Sequence, residues 1–120
     1  MKSIYIILIA VILLFLFNRK DNIDFMKKIS EGAIVIDVRT PEEYSRGHIE
    51  NSVNIPLDKL EQSLDLLNDK EKTIITCCAS GMRSEKAKKI LKKLEYSQVY
   101  NGGGWSSLNK KINKIKIYSF

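Results

Sequence analysis

The sequence predicts an α/β protein with a mostly parallel central sheet, helices on both faces and one apolar helix ahead of it. Three observations carry that expectation. Short β-branched runs recur (AIVIDV from Ala33, TIITC from Thr73), they alternate with segments of helical apolar spacing, and 15 of the first 17 residues are apolar.

A chain of 120 residues suffices for one ordinary domain and is too short for two. The division expected is an apolar anchor or signal segment over residues 1–18 and a single domain over 19–120. Twenty basic against 14 acidic residues give a net charge of +6, a mixed surface and not a polycation. Evenly spread apolar residues, with only six Gly and two Pro, exclude disordered and collagen-like classes, and no heptad is sustained. Adjacent Cys77 and Cys78 cannot close a loop, which excludes a disulfide scaffold. A single His argues against a His-based zinc site, and no metal or organic cofactor is implied.

The first element runs from Ile4 to Phe17 without a charge. As a helix it would reach roughly 21 Å, short of the roughly 30 Å hydrocarbon core of a bilayer. No small-x-small cleavage signature follows, and no nearby Cys could accept a lipid, so an uncleaved single-pass membrane anchor is favoured over a removed signal peptide. Lys2 stands alone against Arg19, Lys20, Lys27 and Lys28, which by the positive-inside rule places the domain in the cytoplasm; a periplasmic or exported domain is the alternative.

Asp24 to Glu31 reads as a short helix closed by Gly32, and Ala33 to Val38 as a buried strand ending near Asp37. Thr40, Pro41 and Glu43 form a helix start, with Thr as N-cap, Pro at the first helical position and Glu as capping-box partner. Val53 to Ile55 is a short strand broken by Pro56. Leu57, Leu60, Leu64 and Leu67 mark the apolar stripe of the next helix. Thr73 to Cys77 is a second buried strand, and a helix is expected from Ser84, with Ala87, Ile90, Leu91 and Leu94 at helical spacing. Gln98 to Tyr100 gives a further strand, Gly102 to Gly104 a loop, and the basic tail from Trp105 is ambiguous between helix and strand.

Between strand and helix lies CASGMRS, a loop at the sheet edge where α/β proteins gather reactive groups. If it curls around the Cys78 sulfur, the backbone N–H groups of Ala79, Ser80, Gly81, Met82, Arg83 and Ser84 and the positive end of the helix would stabilise an anion there. The same field lowers a thiol pKa, and the thiolate is the nucleophile. Arg83 adds a permanent charge with planar donors suited to an oxyanion. Cys77 reads instead as a small buried hydrophobe within the strand.

CASGMRS resembles the rhodanese active-site loop, Cys-x-x-Gly-x-Arg-Ser. IDVRTPEEYSRGHIENSVNIPL is similar to that family's N-terminal signature, and VYNGGGW to its C-terminal glycine motif. The resemblance covers Ala33 to Trp105. It implies a rhodanese-like fold and a thiosulfate sulfurtransferase activity. Cys78 would accept a sulfane sulfur from a small anionic donor such as thiosulfate and pass it as a persulfide to cyanide, a small thiol or a protein sulfur acceptor. It also suggests that Arg83 ties the loop to Asp37, where direct contact with the donor is the other reading. Arg39 would line the donor entrance or be a surface charge. His48 reads as a hydrogen-bonding fold residue. The apolar Met82 side chain at the rim would favour a protein or polysulfide donor.

Two other functions compete. A phosphatase or arsenate reductase of the same fold would place its Arg six positions after the Cys, whereas Arg83 is five after Cys78, a tighter cradle suited to sulfur. A non-catalytic binding module would usually lack the Cys. Lysines on the 84–95 helix look like a solvated face, and no nucleic-acid partner is expected. Lys110, Lys111, Lys114 and Lys116, with no acidic residue after Glu95, suit a surface facing anionic lipid.

Overall fold

Alternation along the central strands decides which side chains enter which layer. A computed structural model describes residues 2–17 and 23–113. Strands β1 (Ile34–Asp37), β2 (Val53–Asn54), β3 (Ile74–Cys78) and β4 (Val99–Gly104) form one sheet in the order β2-β1-β3-β4, every pairing parallel. Along β3, Ile74 and Cys78 face one layer while Ile75 and Cys77 face the other, as a period of two requires. All five β3 side chains are buried, the mark of a central parallel strand covered on both sides.

Helix α4 (Met82–Lys93) covers the Cys78 face, where Ile36, Val38, Leu60, Ala87 and Leu91 pack together. Helices α2 (Phe25–Ser30) and α5 (Trp105–Asn113) cover the Cys77 face through Phe25, Ile29, Trp105 and Leu108. Asp24 caps α2 by accepting from the Lys27 N–H at 3.1 Å. The capping box expected at Thr40 is formed: its side chain accepts from the Glu43 N–H, and Glu43 reaches back to the Thr40 N–H, opening α3 (Pro41–Ser45). His48 is a fold residue as expected, stacked on Tyr44 at 3.7 Å between centroids, with Nδ1 2.8 Å from the Tyr44 carbonyl oxygen.

Several elements depart from the expectation. The leucine stripe from Leu57 to Leu67 is not one α-helix but two 3₁₀ segments, Leu57–Lys59 and Glu61–Leu66, with Ser63 outside helical geometry (φ −108°, ψ 18°). The Ser63 hydroxyl donates to the Lys59 carbonyl at 2.9 Å, a local bond that competes with a regular ladder. Helix α4 starts at Met82, two residues before the expected Ser84. Gly102 to Gly104 are not a loop: they extend β4, with a register shift opposite Thr76 and Cys78.

The N-terminal segment forms a helix, α1 (Lys2–Phe17), with residues 2–16 exposed. At 16 residues it spans about 24 Å, and no helix among the described residues is long and apolar enough to cross a membrane. The described residues therefore show a short apolar helix and do not support the expected transmembrane anchor. Arg19 and Lys20, used to orient it, and Lys114 and Lys116 lie outside the described residues.

Candidate active site

Cys78 is the last residue of β3, so its sulfur sits at the carboxyl edge of the sheet, directly below the start of α4. Only Ala79, Ser80 and Gly81 separate the two elements. Gly81 is the N-cap in the left-handed region (φ +102°), a conformation costly for any side chain, and this turn drops its N–H onto Cys78 Sγ at 3.0 Å. Ser84, three residues into the helix and buried, places its hydroxyl 3.4 Å from the same sulfur. The loop therefore closes around Cys78 as expected, although the helix supplies more of it: Met82, Arg83 and Ser84 lie in the first turn, whose N–H groups have no intrahelical acceptor.

Electrostatics follow from that geometry. Burial works against ionising Cys78, but the Ser84 hydroxyl and the N–H groups of Ser84, Gly81 and Ser80 outweigh it and hold the thiol below its ordinary pKa. Cys77, on the opposite face, has no such donors, and burial with the nearby Asp37 charge pushes it up to about 12. The two adjacent thiols are thus shifted in opposite directions.

Neighbouring residues brace the loop. Ser84 Oγ also lies 2.7 Å from Asn101 Oδ1, which competes with the Cys78 sulfur for its one proton, and Asn101 Nδ2 donates to the Gly81 carbonyl at 3.1 Å and to Glu85 at 3.0 Å. Thr76 Oγ1 donates to the Ser84 carbonyl at 2.8 Å, pinning α4 to β3. A Cβ on Gly104 would lie 2.8 Å from the Ala79 carbonyl oxygen, so the glycine motif lets β4 approach the loop.

The expected tie between Arg83 and Asp37 is not formed. Arg83 instead grips Glu43 of α3 in a two-pronged pair, Nη1 to Oε1 at 2.7 Å and Nη2 to Oε2 at 2.9 Å. That hydrogen bond, helped by the Thr40 contacts and opposed by burial, holds the Glu43 carboxyl at about 2. Asp37 is committed to Arg39, whose Nε lies 3.0 Å and Nη2 2.7 Å from its carboxylate. Arg39 is accordingly neither a surface charge nor an entrance residue: it is 4% exposed and stacked under Trp105 at 4.8 Å. Ala79, Ser80 and Met82 line the outer rim, with Met82 74% exposed. Glu43 and Asn101 were not read as site residues from sequence. Glu43 was visible only as a helix cap, and Asn101 only as part of a glycine motif. No group of three or more His, Cys, Asp or Glu side chains suited to a metal occurs among the described residues.

The fold and site together are a parallel α/β sheet with a cysteine in an N–H cradle at its carboxyl edge. The chain belongs to the Rhodanese-like domain family, whose model matches residues 22–111. It is 39% identical over 70 residues to thiosulfate sulfurtransferase PspE of Escherichia coli, covering 58% of this chain and 67% of that protein. It is 31% identical over 112 residues to a putative mitochondrial thiosulfate sulfurtransferase of Schizosaccharomyces pombe, covering 82% of this chain and 79% of the other. Among solved structures it is similar to a rhodanese with anions from E. coli, with a TM-score of 0.60, 37% identity, and coverage of 62% of this chain and 89% of that one.

Proposed function

We propose that this protein is a sulfurtransferase that carries a sulfane sulfur on Cys78. The observation that carries the reading is the Gly81 N–H at 3.0 Å from Cys78 Sγ, with the first turn of α4 behind it. The thiolate attacks the outer sulfur of thiosulfate, the S–S bond to the sulfonate breaks with its electron pair, and sulfite leaves. A Cys78 persulfide anion remains, and the N–H groups that held the thiolate then hold the outer sulfur. Cyanide or a thiolate attacks that outer sulfur and regenerates Cys78. No general base is needed, because the cradle favours the thiolate form of Cys78 and both leaving groups are anions. Relatives named thiosulfate sulfurtransferase support the donor class.

Incubating the protein with thiosulfate should add 32 Da to the peptide containing Cys78, removable by dithiothreitol. Hydrolysis of phosphate esters with no such adduct would reject the assignment in favour of a phosphatase.

For location, the proposal is attachment to a membrane through α1 with the domain on the cytoplasmic side. Its exposed, uncharged side chains from Ile4 to Leu16 support attachment. A membrane-impermeant thiol reagent should label Cys78 only after cells are permeabilised; labelling in intact cells would place the domain outside.

A further inference from the structure

Arg83 is the only charged side chain in the CASGMRS loop, and it is occupied. Glu43 is itself fixed from two further sides. Its Oε1 accepts from the Thr40 N–H at 3.3 Å and lies 3.2 Å from the Thr40 hydroxyl, and its carbonyl accepts from Arg39 Nη1 at 3.2 Å. The pair joins α3 to α4 across the carboxyl edge of the sheet. Beside it lies a groove of about 260 Å³ lined by Val38, Thr40, Pro56, Leu57, Asp58 and Arg83. Arg83 belongs to the loop that holds Cys78, so the groove borders that loop. With Arg83 neutralised by Glu43, the charge left on its wall is Asp58, and the rest of the lining is largely apolar.

We propose that Glu43 determines donor preference: by holding the Arg83 guanidinium it disfavours doubly charged thiosulfate and favours an alkyl persulfide. The inference rests on the sulfurtransferase reading and deepens it. A thiolate meeting thiosulfate brings a single and a double negative charge together, and a free guanidinium at the mouth would offset that repulsion. An alkyl persulfide reacts through its protonated form, R–S–SH, without this repulsion. Cys78 attacks its outer sulfur, the S–S bond breaks, RS⁻ leaves, and the proton stays on the new persulfide or passes to solvent. The alkyl group meets Val38, Pro56 and Leu57.

The test compares the full-length wild type with Glu43→Gln, which keeps an oxygen for the Thr40 cap and removes the charge. Both are assayed with thiosulfate and with an alkyl persulfide bearing no other charge, cyanide being the acceptor. The thiosulfate-to-persulfide ratio of kcat/KM should rise roughly 3- to 10-fold in the variant, mostly through KM for thiosulfate, and fall more steeply with salt than in wild type. An unchanged ratio and salt slope, with both donors turned over, would overturn the proposal. Should Glu43→Gln fold poorly, Glu43→Asp, which keeps the charge but shortens its reach, should shift the ratio the same way by less; no shift there overturns the proposal equally. Failure of both donors to load Cys78 in wild type is a different result: it removes the sulfurtransferase reading, and this inference with it.

Discussion

Cys78→Ser is expected to lower sulfur transfer by at least about 10³-fold while leaving the fold intact, because a serine hydroxyl is not ionised near neutral pH and cannot hold a sulfane sulfur. The smaller oxygen can still accept the Gly81 N–H, so the loop keeps its shape. Cys77→Ser should behave in the opposite way: the thiol lies on the other face of β3, so activity persists, and the cost falls on stability through a hydroxyl buried among Ile49, Ile75 and Leu108. The same contrast appears in pH. Since hydrogen bonds hold the Cys78 thiol below its ordinary value, its alkylation by iodoacetamide should reach half its maximal rate at a lower pH than in the urea-unfolded chain. The linkage has a definite sign. A thiol depressed by folding contributes stability that is fully present above the unfolded value and is lost as pH falls through the folded one. A half-rate pH equal to that of the unfolded chain would remove the cradle as the cause, and Cys78→Ser retaining a tenth of wild-type activity would remove the cysteine from the chemistry.

The cradle was legible in the sequence because its parts are local. Cys78, Gly81 and Ser84 lie within seven residues, and a strand followed by a short glycine turn and a helix admits few geometries. The capping box at Thr40 was legible for the same reason, its partners being three residues apart. What could not be read were choices between partners distant in sequence. Asp37 and Glu43 are both acidic, both near the carboxyl edge of the sheet, and both able to pair with an arginine. Which one takes Arg83 depends on where α3 lies relative to α4. Arg39 settles it: two residues from Asp37, it occupies both carboxylate oxygens, and Arg83 is left to Glu43. The leucine stripe misled in a different way. Spacing of three and four residues suits 3₁₀ turns as well as an α-helix, and Pro56 at its start and the Ser63 side chain within it favour short segments. Three consecutive glycines read as a loop by composition, yet they are strand residues because Thr76 and Leu108 crowd Gly102, leaving no room for a side chain.

Asp37→Ala should be the most destabilising single change near the site, costing about 3–5 kcal/mol, because it strands a buried guanidinium. Asp37 is fully buried and receives three hydrogen bonds from the Arg39 side chain, and a fourth from the Arg39 N–H at 3.0 Å. Without it, Arg39 would keep only the carbonyls of Glu43 and Gly47 and the face of Trp105, which do not neutralise its charge. Urea unfolding checks the magnitude, and a loss under about 1 kcal/mol would mean that water reaches Arg39 and the pair is not a buried one. The double variant Asp37→Leu with Arg39→Met separates two causes. If the penalty comes from an unpaired charge, the double variant should be more stable than Asp37→Ala; a double variant no more stable than Asp37→Ala would show that the bonds Arg39 keeps to the carbonyls of Glu43 and Gly47 outweigh that charge. The consequence reaches Cys78 through contacts already named: Arg39 fixes the α3 backbone at Glu43, Glu43 fixes Arg83, and Arg83 lies in the first turn of α4 whose N–H groups hold the thiolate. The double variant, folded but without the Arg39 bond to Glu43, should therefore shift donor preference toward thiosulfate in the same direction as Glu43→Gln, since both loosen the hold on Arg83.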